Sequence, residues 1–297
     1  MFLCHQKDIP LNQWRVYPQL REWAVVNNES TGAELISNVC QHQGSYLSGG
    51  RGEGDRVCPY HGWRYRLSGE PISSGNTQCS NSKPLPKKAS HRFFDFILSE
   101  PIDASIDELG EFVNTGHLQL METRIDIVRA NWRNIIDLFL DVEHIPVIHP
   151  GVYQEISAPN VSQLKWTYGK NSNIQLVPRV EVDNEFNSTL QDSDRKAKWS
   201  AAWITLYPYT MMEYQPGAWF ITVCIPTSNK ETSVVVYKYR DVRYSELNWK
   251  INERVWELAW KQDRTQAEMM SPWTPPIEHF EEQKQHFRMW CDNHPWV

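Results

Sequence analysis

No apolar run in this 297-residue sequence approaches the ~18 residues that a membrane-spanning helix needs. A basic run is missing too. Lys and Arg number 30 against 36 Asp and Glu, a net charge of −6 with a pI near 5.9. Nucleic acid and anionic membrane surfaces are therefore poor partners. The opening MFLCHQKDIP has neither the charged nor the apolar region of a signal peptide, which makes a cytoplasmic protein the expectation. Cysteine is scarce, six in all, and four of the six (Cys4, Cys79, Cys224 and Cys291) are scattered. Scattered thiols are expected to stay reduced, as in a cytosolic protein. Cys4-His5 has no partner pair nearby and makes a poor metal site. Internal repeats and low-complexity tracts are absent. The length suggests two domains. Tryptophan is abundant, at fourteen, which implies a well-filled aromatic core or an aromatic-lined pocket.

The other two cysteines fall in one stretch, Cys40 to His61, which reads C-Q-H-Q-G-S-Y-L-S-G-G-R-G-E-G-D-R-V-C-P-Y-H. It holds two short ligand pairs, Cys40-x-His42 and Cys58-x-x-His61. Two thiolates and two imidazoles suit a borderline-soft metal, so zinc and iron–sulfur are both open. A C-x-H pair is tighter than the usual zinc spacing, and each pair mixes sulfur with nitrogen where a zinc finger segregates them. That favours a [2Fe–2S] centre in which two histidines replace two cysteines on one iron. Glycines 44, 49, 50, 52, 54 and 62 let the loops close.

The remainder alternates in a readable way. WRVY, EWAVVNN and ELISNVC read as short strands, and Ser68-Gly69-Glu70-Pro71 as a turn, so a small all-β domain runs to about residue 100. Residues 131–144, NWRNIIDLFLDVEH, have helical periodicity. Ile135, Leu138, Phe139 and Val142 share one face, and Asp137, Asp141 and His144 another. Residues 161–242 read as strands of an antiparallel sheet. Residues 244–270 read as a helix packed through Ile251, Val255, Leu258 and Ala259. The fold class is α+β: a small all-β domain (1–100), then a domain (101–297) with an antiparallel sheet packed on helices.

The pattern C-x-H-x15-C-P-Y-H-G-W resembles the Rieske domain of the Rieske non-haem iron oxygenases, of the aromatic-ring-hydroxylating type. Respiratory-chain Rieske proteins carry two further cysteines, which form a disulfide beside the cluster. Ser45 and Tyr60 stand at those positions here, so the resemblance implies a potential near the low end of the Rieske range, roughly −150 mV. The family's C-P-H-R-G is C-Q-H-Q-G in this chain, with Gln41 and Gln43, a departure that touches the potential or the docking surface and leaves the ligands intact. Tyr60 and Trp63 are expected to pack over the cluster.

The resemblance extends to a second metal. D-V-E-H-I-P-V-I-H is similar to the family's D-x-x-H-x4-H motif, which makes His144 and His149 ligands of a mononuclear Fe(II). The matching site is a 2-His-1-carboxylate triad with open positions. By the same resemblance the carboxylate lies on the C-terminal helix, at Asp263 in W-K-Q-D-R, with Glu268 and Glu257 as rivals. Asp141 takes the family's catalytic bridging role, accepting hydrogen bonds from a Rieske histidine (His61) and from His144. Asp137 stands where relatives often carry Asn, and is expected to pair with Arg133 on its own helix. The aromatics Trp203, Tyr207, Tyr209, Tyr214, Trp219 and Phe220 are candidates to line a substrate cavity, about half of them facing it.

The resemblance implies a catalytic alpha subunit, a mono- or dioxygenase. It would use O2 and electrons from a ferredoxin or flavin reductase to hydroxylate, dihydroxylate or oxidatively dealkylate a small apolar or aromatic molecule. Its cofactors would be a [2Fe–2S] Rieske cluster and a mononuclear Fe(II), and its assembly a homotrimer. The alternatives are a non-enzymatic Rieske electron carrier, which needs only one small domain, and a zinc-stapled binding module.

Overall fold

The computed structural model describes residues 3–17, 20–72, 83–101, 115–153, 163–179, 183–270, 273 and 282–294. Cys79 and the ends of two expected strands (161–162 and 180–182) lie outside the described residues. The chain forms two compact units, Met1–Pro101 and Ile102–Val297.

The first unit is all β. Its strands are β1 (Leu3–His5), β2 (Gln13–Val16), β3 (Trp23–Asn28), β4 (Gly32–Ser37), β5 (Arg51–Glu53), β6 (Arg56–Val57), β7 (Arg64–Tyr65), β8 (Pro71–Ile72), β9 (Lys87–Lys88), β10 (His91–Phe93) and β11 (Phe96–Leu98). They make a five-stranded sheet in the order β5-β2-β3-β4-β9 and two three-stranded sheets, β6-β7-β8 and β1-β11-β10. Alternate residues of β3 and β4 face opposite ways. Ala24, Val26 and Ile36 pack with Leu47 and Leu85 around Cys40 and Cys58, while Val25 and Leu35 pack with Ile9 and Ile97.

The second unit is one antiparallel sheet covered by helices. Its strands are β12 (Leu118–Val128), β13 (Lys165–Tyr168), β14 (Ser172–Pro178), β15 (Trp199–Leu206), β16 (Thr210–Gln215), β17 (Ala218–Ser228) and β18 (Glu231–Asp241). The order is β12-β18-β17-β16-β15-β14-β13. The helices are α1 (Trp132–Leu140), α2 (Ile145–Ile148), α3 (Glu185–Ser188), α4 (Asp192–Lys196), α5 (Glu246–Met269) and α6 (Glu282–Asn293). Edge strand β12 went unread in the sequence. Its apolar side chains Met121, Ile125 and Ile127 are exposed, while Arg124 and Asp126 bond to Glu257 and Trp260 of α5. The alternation is present but inverted, so apolarity does not mark the buried side.

Helix α5 starts at Ser245, whose hydroxyl accepts the Asn248 N–H, a helix N-cap. Its buried stripe runs through Trp249, Asn252, Trp256, Ala259 and Ala267, and Trp256 stacks on both Phe220 of the sheet and Trp260. Leu258, expected on the packed face, is 45% exposed. Trp256 and Trp260, each two residues away and so on the opposite face, take the sheet instead, because each buries more area against it.

Helix α1 also differs from expectation. It ends at Leu140, so Asp137, Asp141 and His144 do not share one helix face. Asp141 is extended, with ψ 120°, and its Oδ1 accepts the N–H groups of Glu143 (2.9 Å) and His144 (3.2 Å). Those donors are thereby drawn away from the helix ladder. Helix α2 restarts at once, with Pro146 in its first turn, where a missing N–H costs nothing.

Asp137 does not pair with Arg133 as expected. Its buried carboxylate receives Arg288 Nε at 3.1 Å and Nη2 at 2.5 Å from α6. Arg133 instead lies over the Trp132 ring. The buried face of α1 turns Asp137 inward, and a charge there needs a partner that is buried with it. Replacing Arg288 with Met is expected to cost about 3 kcal/mol, roughly 6–12 °C in Tm for a unit of this size. Adding Asp137→Asn should restore part of the loss, and a thermal melt of the two variants checks both.

Candidate metal centres

Two loops of matching construction carry the sulfur and nitrogen donors of the first unit. Cys40 follows β4 and Cys58 follows β6. In each, the cysteine carbonyl accepts an N–H from a glycine four residues on, Gly44 or Gly62, at 3.0 Å. In each, the cysteine N–H donates to a carbonyl five residues on, Ser45 or Trp63, at 2.8 or 2.7 Å. Both glycines sit at left-handed φ, +72° and +71°, where a side chain would be strained. These turns bury both sulfurs and leave His42 and His61 exposed, with their rings 4.7 Å apart. Trp63 stacks on His42 at 4.5 Å, and Tyr60 lies over His61 at 3.9 Å.

The Tyr65 hydroxyl accepts the Gln41 N–H at 3.2 Å and lies 3.5 Å from Cys40 Sγ, so its own proton is free to point at the sulfur. The Ser45 hydroxyl reaches Cys58. Burial pushes the Cys40 thiol up, with Tyr65 and the His42 N–H opposing. Burial acts the same way on Cys58, but the N–H groups of Tyr60 and His61 outweigh it and hold that thiol below its usual value. Two soft buried sulfurs beneath two outward imidazoles is a donor set that suits a [2Fe–2S] cluster.

The second unit brings together three groups distant in sequence. His144 and His149 stand at the two ends of the one-turn helix α2, and Asp263 projects from α5. His149 Nε2 lies 2.8 Å from Asp263 Oδ1 and 3.2 Å from His144 Nε2, and His144 Nε2 lies 3.4 Å from the same oxygen. Convergent lone pairs of this kind form the donor set of a 2-His-1-carboxylate metal site. On the far side of His149, Gln262 Oε1 lies 2.8 Å from Nδ1. Accepting the Nδ1–H there leaves Nε2 as the lone pair facing inward.

Burial works against the His144 imidazolium, but Asp141 and Asp263 outweigh it and raise the group to about 9. Burial also opposes the Asp263 charge, which His144 and His149 hold down in turn. The Asp141 carboxylate stands 3.8 Å from His144 Nδ1, beyond hydrogen-bond length, and pairs with Lys284 of α6 at 2.9 Å. His144 and Lys284 keep it ionised against burial, well below the usual carboxylate range. The rivals for Asp263 are engaged elsewhere: Glu257 by Arg124 and Lys238, Glu268 by Arg264 and the Arg129 N–H.

Asp263 also lines a cavity between the sheet and helices α1 and α5. Its walls include Phe139, Tyr153, Met211, Trp256 and Trp260. The six strand aromatics picked from the sequence are not among its walls. Trp203, for one, packs edge-on against Tyr153. Glu213 also faces this space, and its Oε1 accepts the Trp256 Nε1–H at 2.9 Å. Burial, then the Asp263 charge, push Glu213 up to about 8.

A family model described as the ring hydroxylating alpha subunit (catalytic domain) matches residues 111–294, and one for the Rieske [2Fe-2S] domain matches residues 1–86. The chain belongs to the ring-hydroxylating alpha-subunit family. A Rieske [2Fe–2S] cluster and a mononuclear iron are accordingly its cofactors, and the two donor sets fit them. Putrescine 2-hydroxylase of Bordetella bronchiseptica is 25% identical over 273 residues, covering 80% of this chain and 62% of the relative. The carnitine monooxygenase oxygenase subunit of Acinetobacter pittii is also 25% identical, covering 67% of this chain and 57% of the relative. The chain thus spans less than two thirds of the length of either. Naphthalene 1,2-dioxygenase from Rhodococcus sp., solved with indole bound, shares the fold with a TM-score of 0.63 at 16% identity, covering 98% of this chain and 88% of that one.

Sequence reasoning missed Gln262, Lys284 and Glu213. Gln262 could have been suspected beside Asp263. Glu213 is the one acid in AAWITLYPYTMMEYQ and stands out there. Nothing in the sequence marks Lys284. Gln262→Leu removes the acceptor for His149 Nδ1–H and is expected to weaken metal binding by about 10–100-fold. Titration of the metal-depleted site with Co(II), followed by its visible absorption, checks this.

Proposed function

We propose that this chain is the catalytic subunit of a Rieske oxygenase that takes O2 and electrons from a ferredoxin or flavin reductase. In this reading it hydroxylates, dihydroxylates or oxidatively dealkylates a small organic molecule. The convergence of His144, His149 and Asp263, with Asp263 on the wall of an aromatic-lined cavity, carries the reading. An electron carrier would need neither. Cys40, His42, Cys58 and His61 hold the cluster within the 1–100 domain, and His144, His149 and Asp263 hold the iron within the 101–297 domain. The two groups together supply one-electron transfer and the activation of O2.

The residues of the chain do the rest. Three protein ligands leave coordination positions free. Gln262 keeps His149 in the tautomer that binds metal. Asp141, held ionised by Lys284, places a negative charge beside His144. Trp256, Trp260, Phe139 and Met211 give the cavity an apolar wall that would hold an organic substrate near Asp263. Support for a small substrate comes from the relatives, which are named for putrescine and carnitine. Among the described residues no helix is long and apolar enough to cross a membrane, and a cytoplasmic setting is part of the proposal.

The iron content tests the ligand set. The wild type should hold the two irons of the cluster and one more. His149→Ala and Asp263→Ala should each lose that one and keep the cluster's visible spectrum. A His149→Ala protein with undiminished iron would remove His149 from the site.

The assembly belongs to the same reading: a head-to-tail ring of three copies in which each cluster serves the iron of a neighbour. His61→Ala and His144→Ala chains should each be inactive alone. Mixed oligomers of the two should regain part of the activity, because some clusters then face an intact neighbouring iron. Purified mixed rings no more active than either parent would rule out the intersubunit path.

A further inference from the structure

We propose that Glu213 is the anionic end of an ammonium-binding subsite, so that the substrate is a small protonated amine. The proposal rests on the oxygenase reading in that the cavity is taken as the substrate site. Glu213 sits midway along β16, a strand in the interior of the sheet, and its neighbours Met212 and Tyr214 are buried. Glu213 itself is only partly covered, and it is a wall of the cavity.

A carboxylate in an apolar cavity is costly unless a cation or several donors meet it. Other carboxylates of this unit have such partners: Asp137 has Arg288, Asp141 has Lys284, and Glu257 has Arg124 and Lys238. Glu213 has one neutral donor, the Trp256 indole, and among the described residues no cation pairs with it. Arg264, the one cationic side chain among the described walls of the same cavity, is turned to Glu268 and to the Ile127 carbonyl.

The surroundings complete a cation site. Trp260 and Tyr153 add ring surface to the walls, while Trp256, stacked on Phe220 and Trp260, turns its indole N–H edge to Glu213. Aromatic faces attract an ammonium, and a carboxylate accepts its N–H groups. Asp263, on the same cavity, is occupied as a metal ligand in the proposed function. An amine held at Glu213 would thus lie in the cavity that reaches the metal site, with its hydrocarbon part against Met211 and Phe139.

The test uses anaerobic holoenzyme at about pH 9, above the value of Glu213 and below that of an alkylammonium, and three probes: n-butylammonium, its neutral isostere butan-1-ol, and tetramethylammonium. Binding is read from the fluorescence of the tryptophans and from calorimetry. The wild type should bind butylammonium about tenfold or more tighter than butan-1-ol, the value of one charged hydrogen bond. Glu213→Gln should abolish that preference and leave butan-1-ol within about twofold of its wild-type affinity. Its amide oxygen can still accept from Trp256, so a merely structural glutamate would be spared. A wild type without preference for butylammonium overturns the proposal, even if the variant fails to fold. So does a preference that survives in Glu213→Gln. Tetramethylammonium binding that matches butylammonium and persists in the variant assigns recognition to the aromatic rings and overturns the role of Glu213. Iron counted in the same samples separates the two readings: a wild type without the third iron defeats the oxygenase proposal, whereas full iron without amine preference defeats only this one.

Discussion

Two imidazole nitrogens and a carboxylate oxygen face one another at 2.8–3.4 Å on His144, His149 and Asp263. Lone pairs at such distances repel unless a proton or a cation lies among them. The second unit is built to keep them there. Its sheet carries α5 through the stacked Phe220, Trp256 and Trp260, which sets the rotation of the helix and therefore where Asp263 points. Asp141 breaks the helix after Leu140, so that the next turn can place His144 and His149 at its two ends. Helix α6 grips this corner with two cations, Arg288 on Asp137 and Lys284 on Asp141.

Several buried charges of the second unit are met by opposite charges. Lys238, 2% exposed, is surrounded by Glu122, Glu253 and Glu257, while Asp137 of α1 meets Arg288 and Asp141, just after the helix, meets Lys284. Such pairing offsets desolvation without adding much net stability. Glu213 departs from this pattern inside the cavity, where an incoming molecule can supply the opposite charge.

The first unit solves a different problem, how to bury sulfur and expose nitrogen. Both loops use the same five-residue turn, with a glycine in the left-handed region closing onto the cysteine carbonyl. Cysteine enters the turn from a strand and is covered. Histidine falls two or three residues later, on the outer side of the bend.

Much of this was legible in the sequence because it is local. The two Cys/His pairs, the H-x4-H pair and the strand alternation are set by spacing of a few residues, and short spacing survives any arrangement of the rest. The α+β class rests on the same periodicities. Asp263 was recognisable by its resemblance to a family motif. It also falls four residues after Ala259 and four before Ala267, on the buried stripe of its helix, where an acid is out of place. What only the tertiary structure decided is which distant groups meet. Arg288 rather than Arg133 takes Asp137, because the buried face of α1 turns toward α6. Trp256 and Trp260 rather than the strand aromatics line the cavity, because β16 turns Glu213 and Met211 toward α5. Such choices depend on how a helix is rotated against a sheet, and that rotation is settled by packing across the whole interface, which no single segment encodes.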